Sequence, residues 1–218
     1  MIFQDRADAG RRLAEKLSSY ANGDTRVLAL PRGGVPVAFE VARALSAPLD
    51  VFVVRKLGVP GHEELAMGAI ASGGVRVLNE DTIAQLHIDQ ATVDAVTQAE
   101  LGELNRREAV YRDGLPAHDV AGKTVILIDD GLATGASMYA AVLALRARSP
   151  RRTIVAVPVA PRDTCEAIAQ QVDEMVCAAT PEPFRGVGAW YHDFRQVEDE
   201  EVRLTLRNAS ALTERHGG

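Results

Sequence analysis

Residues 125–137 read Val-Ile-Leu-Ile-Asp-Asp-Gly-Leu-Ala-Thr-Gly-Ala-Ser, and we find no more informative stretch in the chain. Its first four residues are all large and apolar, which is typical of a strand covered on both faces of a parallel sheet. Two aspartates come next, followed by small and hydroxylated residues that suit a turn into a helix. Ligands of open α/β sheets bind beyond the carboxyl ends of the strands, so the residues after Ile128 are the first candidates for a functional site.

Apolar runs alternate with segments of helical spacing on both sides of this stretch. The patterns predict strands at 26–30, 50–54, 123–128, 153–159 and 174–177, and helices at 5–21, 35–45, 81–112 and 163–171, with a further helix ending near 148. Asp163 and Glu166 have the spacing of a capping box at the start of the helix over 163–171. A hairpin is predicted around Gly73-Gly74, and 55–66 is predicted to be a loop. This alternation predicts an α/β fold, a parallel β-sheet flanked by helices on both faces.

No linker or repeat divides the sequence, and we predict a single domain over residues 1–218. Its core spans about 26–178, with a helical insertion over about 81–115 and a C-terminal hood or flap over about 179–200. The hood contains Phe184, Trp190, Tyr191 and Phe194, a marked concentration in a chain with one Trp, four Tyr and five Phe.

The composition narrows the classes of function. Lys plus Arg number 24 against 30 Asp plus Glu, a formal charge of −6, so we expect no nucleic-acid partner, because duplex binding needs a cationic surface. The longest uncharged stretch, 131–145, is shorter than the roughly 18 apolar residues of a membrane span, and no apolar signal core follows the first residues. Cys165 and Cys177 are expected to be free thiols in a reducing compartment. These features predict a soluble, cytoplasmic protein without a membrane partner.

The turn after Ile128 contains two kinds of chemical group. Backbone N–H groups over 133–137, at the start of a helix, can bind an anion, and the hydroxyls of Thr134 and Ser137 can donate to the same oxygens. Asp129 and Asp130 would repel a phosphate, but they suit vicinal hydroxyls or a divalent cation. A phosphate at one end and a diol at the other describe a ribose 5-phosphate. The alternative is a structural turn in which the aspartates cap the helix.

The thirteen residues 125–137 resemble the phosphoribosyl-diphosphate (PRPP) signature of the type I phosphoribosyltransferases. The resemblance covers about 26–178. More narrowly, the chain is similar to stand-alone bacterial phosphoribosyltransferase-like proteins of unassigned substrate, through 32–34, 64–69 and the aromatic segment 181–194. The resemblance implies Mg²⁺-dependent transfer of ribose 5-phosphate from PRPP to a nitrogenous, nucleobase-like acceptor, with release of pyrophosphate. It also implies a homodimer, because members of the family commonly pair.

The resemblance assigns roles to residues outside this signature. Arg32, Gly33 and Gly34 correspond to the loop whose amides bind pyrophosphate, and Arg55 and Lys56 stand where the family often keeps a cationic contact to it. Asp129, Asp130, Arg32 and Lys56 are implied as the catalytic groups, which fix the sugar and neutralise the leaving group. The implied substrate-binding residues are Arg32, Gly33, Gly34, Arg55, Lys56, Asp129, Asp130, Ala133, Thr134, Gly135, Ala136, Ser137, Trp190 and Tyr191, the last two as stacking faces for a planar heterocycle.

Three further points concern substrate and metal. Residues 57–68 resemble the family's mobile loop, in which His62 is a candidate for proton transfer or an ordinary solvated histidine. Mg²⁺ is expected to arrive on the diphosphate, with Asp129 and Asp130 as direct or outer contacts and no site made by the protein alone. Ala133 replaces the aspartate of 6-oxopurine enzymes, which disfavours hypoxanthine or guanine, and Ala136 replaces a glycine of many relatives.

Two other functions compete with transfer. A PRPP- or nucleotide-binding regulatory protein without turnover is the second hypothesis, because residues 129–137 would serve binding and catalysis alike. An NAD-binding Rossmann protein is disfavoured, because no G-x-G-x-x-G follows any predicted strand.

Overall fold

A computed structural model describes residues 2–21 and 23–216 of the chain. Its strands are β1 (Thr25–Ala29), β2 (Leu49–Val51), β3 (Val54–Val59), β4 (His62–Ala71), β5 (Val75–Leu78), β6 (Thr124–Ile128), β7 (Arg152–Val159) and β8 (Glu174–Ala179). Its helices are α1 (Arg6–Lys16), α2 (Gly34–Leu45), α3 (Glu80–Gln85), α4 (Gln90–Arg112), α5 (Ala136–Arg146), α6 (Arg162–Ala169) and α7 (Asp199–His216).

Five parallel strands form the central sheet, in the order β2-β1-β6-β7-β8. Alternate residues of β6 enter different cores: Ile126 and Ile128 pack with residues of α1, α2 and α7, whereas Val125 and Leu127 pack with residues of α5 and α6. All four side chains are fully buried, and burial of such a side chain contributes about 1.5–3 kcal/mol to folding. The predicted α/β fold, with helices on both faces of a parallel sheet, is confirmed.

A second sheet, in the order β3-β4-β5, is antiparallel. The hairpin predicted around Gly73-Gly74 is confirmed, and both glycines have the positive φ that a two-residue turn of this kind favours. The loop predicted over 55–66 is wrong, because most of these residues pair as β3 and β4. Their register shifts around Gly58, so a β-bulge interrupts the alternation that sequence patterns detect.

The helical segments differ from expectation at two places. The helix predicted over 81–112 is divided into α3 and α4 by a turn at His87, whose φ is +52°. Helix α7 lies beyond the hood and was not predicted, although Val202, Leu206 and Ala209 are buried at helical spacing. No helix in the two described ranges is long and apolar enough to cross a membrane.

Helix α6 is covalently joined to β8. Cys165 and Cys177 form a disulfide with their Cα atoms 6.8 Å apart, so the expectation of two free thiols is wrong. The separation of 12 positions between the two cysteines did not reveal that Cys165 in α6 lies beside Cys177 in β8. The predicted capping box is also wrong: α6 starts after Pro161 without a side-chain cap, and Asp163 accepts a hydrogen bond from the adjacent Thr164 N–H instead.

Candidate functional site

Two carboxylates stand at the carboxyl end of β6, as the sequence predicted. Oδ1 of Asp129 accepts from the N–H of Asp130 at 2.8 Å, and Oδ2 of Asp130 accepts from Nε of Arg6 at 2.7 Å. No N–H or hydroxyl in the described residues donates to Oδ2 of Asp129 or Oδ1 of Asp130. Each carboxylate therefore has one oxygen held by an N–H group of the protein, and the two carboxyl groups also lie within hydrogen-bonding reach of each other.

Burial and mutual repulsion shape the charge of this pair. Burial, followed by the negative charge of Asp130, raises the pKa of the Asp129 carboxyl well above its usual value. Burial also raises the pKa of Asp130, although Arg6 opposes that shift. Perturbed carboxyl groups at the end of a buried strand are frequent at functional sites.

The segment after β1 lies directly against the carboxylates. A Cβ atom added to Gly33 would lie 2.0 Å from Oδ2 of Asp130, and one added to Gly34 would lie 2.7 Å from the carbonyl oxygen of Ile128 and 2.9 Å from Cα of Asp129. Only glycine permits this approach. The Pro31–Arg32 peptide bond is cis. The geometry places the predicted pyrophosphate loop, 32–34, beside the predicted sugar-binding pair.

The turn over 133–137 contains backbone amides without hydrogen-bond partners among the described residues. Helix α5 begins at Ala136 after Gly135, whose φ is +74°, and Ala133, Thr134, Ala136 and Ser137 are exposed. In the described ranges, the N–H groups of Ala133, Thr134, Gly135 and Ser137 form no hydrogen bond, and that of Ala136 only a long one of 3.5 Å to Oγ1 of Thr134. Such a helix start can receive an anion.

Helix α6 supports this turn from behind. Oγ1 of Thr164 donates to the carbonyl of Ala133 at 3.0 Å. A Cβ atom added to Gly135 would lie 2.9 Å from Cγ2 of Thr164, so the two segments are in close contact.

The predicted cationic contacts lie in different surroundings. Arg32 is 3.5 Å from Oδ1 of Asp199 and 3.8 Å from Oε2 of Glu198, at the start of α7. Arg55 pairs at 2.6 Å with Glu100 of α4. Lys56 is exposed. His62 is exposed at the start of β4, in the hairpin that replaces the expected loop.

The hood contacts the backbone beside the carboxylate pair. The hydroxyl of Tyr191 donates to the carbonyl of Asp130 at 2.6 Å, and its ring lies 5.4 Å from that of Phe3 and 5.0 Å from that of Phe194. Burial, and then the charge of Asp130, raises the pKa of Tyr191. With 6% of its surface exposed, Tyr191 anchors the hood in this structure. Trp190 is half-buried, and its Nε1 has no hydrogen-bond partner among the described residues.

Arg6 belongs to this site and was not predicted from the sequence. Its guanidinium contacts Asp130, donates from Nη1 to the carbonyl of Arg195 at 2.8 Å, and lies 4.0 Å above the ring of Phe194. Arg6 lies in the first turn of α1, and nothing in the sequence around it indicates contact with Asp130, which lies 124 residues further along the chain.

The donor set limits what metal the site can hold. No group of three or more His, Cys, Asp or Glu side chains suited to a metal is found within residues 2–21 and 23–216. Two adjacent carboxylates alone fit a hard cation that takes most of its oxygens from a ligand and water, as Mg²⁺ does.

Comparisons with known proteins agree with this geometry. A model of the phosphoribosyl transferase domain matches residues 2–188. Proteins of two Mycobacterium tuberculosis strains, both provisionally named phosphoribosyl transferases, are 49% identical over 208 residues, which is 95% of this chain and 47% of theirs. The chain thus spans about half the length of these relatives. The crystal structure of TT1426 from Thermus thermophilus is 42% identical, with a TM-score of 0.87, and the match covers 95% of this chain and 99% of that one.

Proposed function

Because the chain belongs to the phosphoribosyl transferase family, we propose that it transfers ribose 5-phosphate from PRPP to a nitrogenous acceptor and releases pyrophosphate. One observation carries the proposal. At the end of β6, Asp129 and Asp130 each have one oxygen that accepts from no N–H or hydroxyl group of the described residues, and the unbonded amides of 133–137 follow within a few residues. A diol and a phosphate on one small sugar match these two groups.

The proposed reaction exchanges two bonds at the anomeric carbon. The bond to the diphosphate oxygen breaks with its electron pair, a nitrogen of the acceptor bonds to the carbon, and that nitrogen loses its proton to an oxygen of the released pyrophosphate. Positive charge develops on the sugar ring, as in glycoside hydrolysis. The carboxylates of Asp129 and Asp130 accept from the ring hydroxyls and favour that charge, while 133–137 hold the 5-phosphate.

The leaving pyrophosphate needs cations and amide donors. Gly33 and Gly34 bring backbone close to the carboxylate pair, and Arg32 can exchange its long contacts with Asp199 and Glu198 for phosphate oxygens. Lys56 is exposed and can supply a second positive charge. When bound, Mg²⁺ would neutralise charge on the diphosphate, and Asp129 and Asp130 are the residues that would hold it.

The acceptor proposed is a planar, nucleobase-like heterocycle. Half-buried Trp190 in the hood provides an aromatic face, and Ala133 removes the carboxylate that 6-oxopurine enzymes carry at that position. Tyr191 is too buried in this structure to offer its ring to a ligand, so stacking would require the hood to move.

A binding protein without turnover is the second candidate. Two observations favour it. Arg32 and Arg55, which were expected to contact pyrophosphate, both pair with acidic side chains, and the segment expected to be a mobile loop is a paired hairpin. Both candidates share the site for the sugar phosphate, and they differ in pyrophosphate release.

The deciding experiment incubates the protein with PRPP, Mg²⁺ and a panel of purine, pyrimidine and pyridine bases, and follows pyrophosphate. Release with one base, lost in Asp130→Asn, supports the transferase. Calorimetric binding of PRPP without release under any condition supports the regulator, and no binding refutes both. Sedimentation of the same sample tests the proposed homodimer.

A further inference from the structure

Arg6 is the cation that directly contacts the carboxylate pair in the described parts of the chain. Its Nε lies 2.7 Å from Oδ2 of Asp130, and the two side chains are only 10% and 14% exposed. A charge-assisted hydrogen bond removed from water in this way is short and directional. The contact therefore determines where the Asp130 carboxylate points.

The other neighbour of this carboxylate restricts it further. Gly33 lies so close to Oδ2 of Asp130 that an added Cβ atom would be 2.0 Å away. Oδ2 is thus enclosed by Arg6 and by the backbone of the loop over 32–34. Oδ1 accepts from no N–H or hydroxyl group of the described residues, so a ligand hydroxyl can donate to it beside the neighbouring Asp129 carboxyl.

Arg6 is itself fixed at its far side by the hood. Nη1 donates to the carbonyl of Arg195, and the guanidinium lies 4.0 Å above the ring of Phe194. A planar guanidinium can make these contacts together, whereas a lysine ammonium concentrates its charge at one point and lacks the forked geometry. The chain thus directs Nε of Arg6 at one oxygen of Asp130.

We propose that Arg6 is a positioning residue, which holds Oδ2 of Asp130 so that Oδ1 accepts from the 2-hydroxyl of a ribose, and that it thereby sets selectivity for ribose over 2-deoxyribose. The inference rests on the proposed function, because it takes the carboxylate pair as the site of the sugar hydroxyls. It adds a residue from α1 to a site otherwise formed by the sheet ends and the hood.

The test uses calorimetry with two probes, ribose 5-phosphate and 2-deoxyribose 5-phosphate, on the full chain. The wild-type protein is expected to prefer the ribose compound about 10-fold, the effect of one hydrogen bond to a charged acceptor. Arg6→Gln should bring the ratio of the two dissociation constants close to one, and Arg6→Lys should restore part of it.

Matched variants separate positioning from general support of the fold. Arg12→Gln removes another arginine of α1, one that lies 5.5 Å over the ring of Phe3 and pairs with Asp8, and it should keep the wild-type ratio. In the double variant Arg6→Gln/Asp130→Asn, the ratio should equal that of Asp130→Asn alone, because Arg6 acts through that carboxylate. A purely structural role would lower both affinities and leave the ratio unchanged.

The outcomes distinguish the two claims. If the wild-type protein prefers ribose and Asp130→Asn loses that preference while Arg6→Gln and Arg6→Lys keep it, Arg6 does not position the carboxylate. Tighter binding of ribose 5-phosphate by Arg6→Gln would mean that Arg6 competes with the sugar, which also overturns the inference. If Arg6→Gln does not fold, an unchanged ratio in Arg6→Lys overturns it. A wild-type protein that binds neither probe, or both equally, instead refutes the assignment of the carboxylates to a diol.

Discussion

The hydroxyl of Tyr191 donates a 2.6 Å hydrogen bond to the backbone carbonyl of Asp130, and this contact joins the hood to the end of β6. The tyrosine ring packs between Phe3 and Phe194, so the bond is enclosed by aromatic side chains. Any displacement of the hood must break this bond or carry the segment at Asp130 with it.

Tyr191→Phe tests this contact. The ring packing is retained, but a buried carbonyl loses its donor, so the free energy of unfolding should fall by about 1–2 kcal/mol. Denaturant titration measures the change. Tyr139→Phe is the control, because Tyr139 is 44% exposed and should leave the midpoint unchanged. Equal midpoints for Tyr191→Phe and wild type would show that this bond does not stabilise the hood.

Asp130→Asn and Thr134→Ala are each expected to weaken binding of PRPP about 10-fold. The first removes a charged acceptor for a sugar hydroxyl, and the second removes a hydroxyl donor to the phosphate. Calorimetry measures the affinity, and circular dichroism confirms that the fold survives. Asp81→Asn, in the exposed first turn of α3, is the control. Unchanged affinity in both site variants would count against the assignment of this site.

Gly33→Ala should abolish binding of PRPP without straining the backbone at this position. The φ of Gly33 is −60°, which alanine adopts readily, but the new Cβ would overlap Oδ2 of Asp130 and force it away from Arg6. Gly102→Ala is the matched control: its Cβ meets nothing within 4 Å in α4, and the exchange should stabilise the helix by about 0.5–1 kcal/mol. Wild-type affinity in Gly33→Ala would contradict the close packing.

Reduction of the disulfide should lower the free energy of unfolding by about 2–3 kcal/mol. Cys165 and Cys177 are 12 positions apart, and a crosslink over such a loop limits the freedom of the unfolded chain. Denaturant titration with and without a reductant measures the difference. The variant Cys165→Ala/Cys177→Ala should not respond to the reductant. Two thiols reacting in the native, untreated protein would contradict the crosslink.

The contribution of His118 to the stability of the fold should decrease as the pH drops below neutrality. Burial lowers the pKa of its imidazole below the ordinary 6.5, and Arg26 and Arg112 lower it further against the charge of Asp50. As the pH falls through 6.5, the unfolded chain takes up a proton before the folded one does, so stability decreases. His118→Gln should flatten this slope between pH 7 and 5, whereas His62→Gln, at an exposed site, serves as the control. Equal slopes for His118→Gln and wild type would be the contrary result.

Local patterns predicted the elements that carry long apolar runs or regular spacing. Four of the five buried residues of β6 are large and apolar, and the glycines at 73 and 74 fit only a tight turn, so both were predictable. The pairing of β3 with β4 was not, because the bulge at Gly58 breaks the alternation of side chains. The disulfide was missed for a related reason, since pairing depends on how α6 packs beside β8.

The parts of the site that were predictable lie in recognisable sequence motifs, namely 129–137 and the loop over 32–34. Asp129, Asp130 and 133–137 lie on one turn, and their order along the chain is enough to indicate a sugar phosphate. Arg6 contacts Asp130 across 124 positions of the chain, and Tyr191 contacts it across 61. No local pattern of residues encodes contacts over such distances in sequence. Arg32 and Arg55 pair with acidic residues on α7 and α4, which are also distant from them in the chain, so these pairings could not be predicted either.

The pairing of Phe3 with Tyr191 has a consequence for biosynthesis. A nascent chain emerges from its first residue onward, so α1 is made long before the segment that covers it. Until Tyr191 has left the ribosome, Phe3 lacks its partner ring and Asp130 lacks its hydroxyl donor. Assembly of this region must therefore be a late event in the maturation of the chain, after the central sheet has been synthesised.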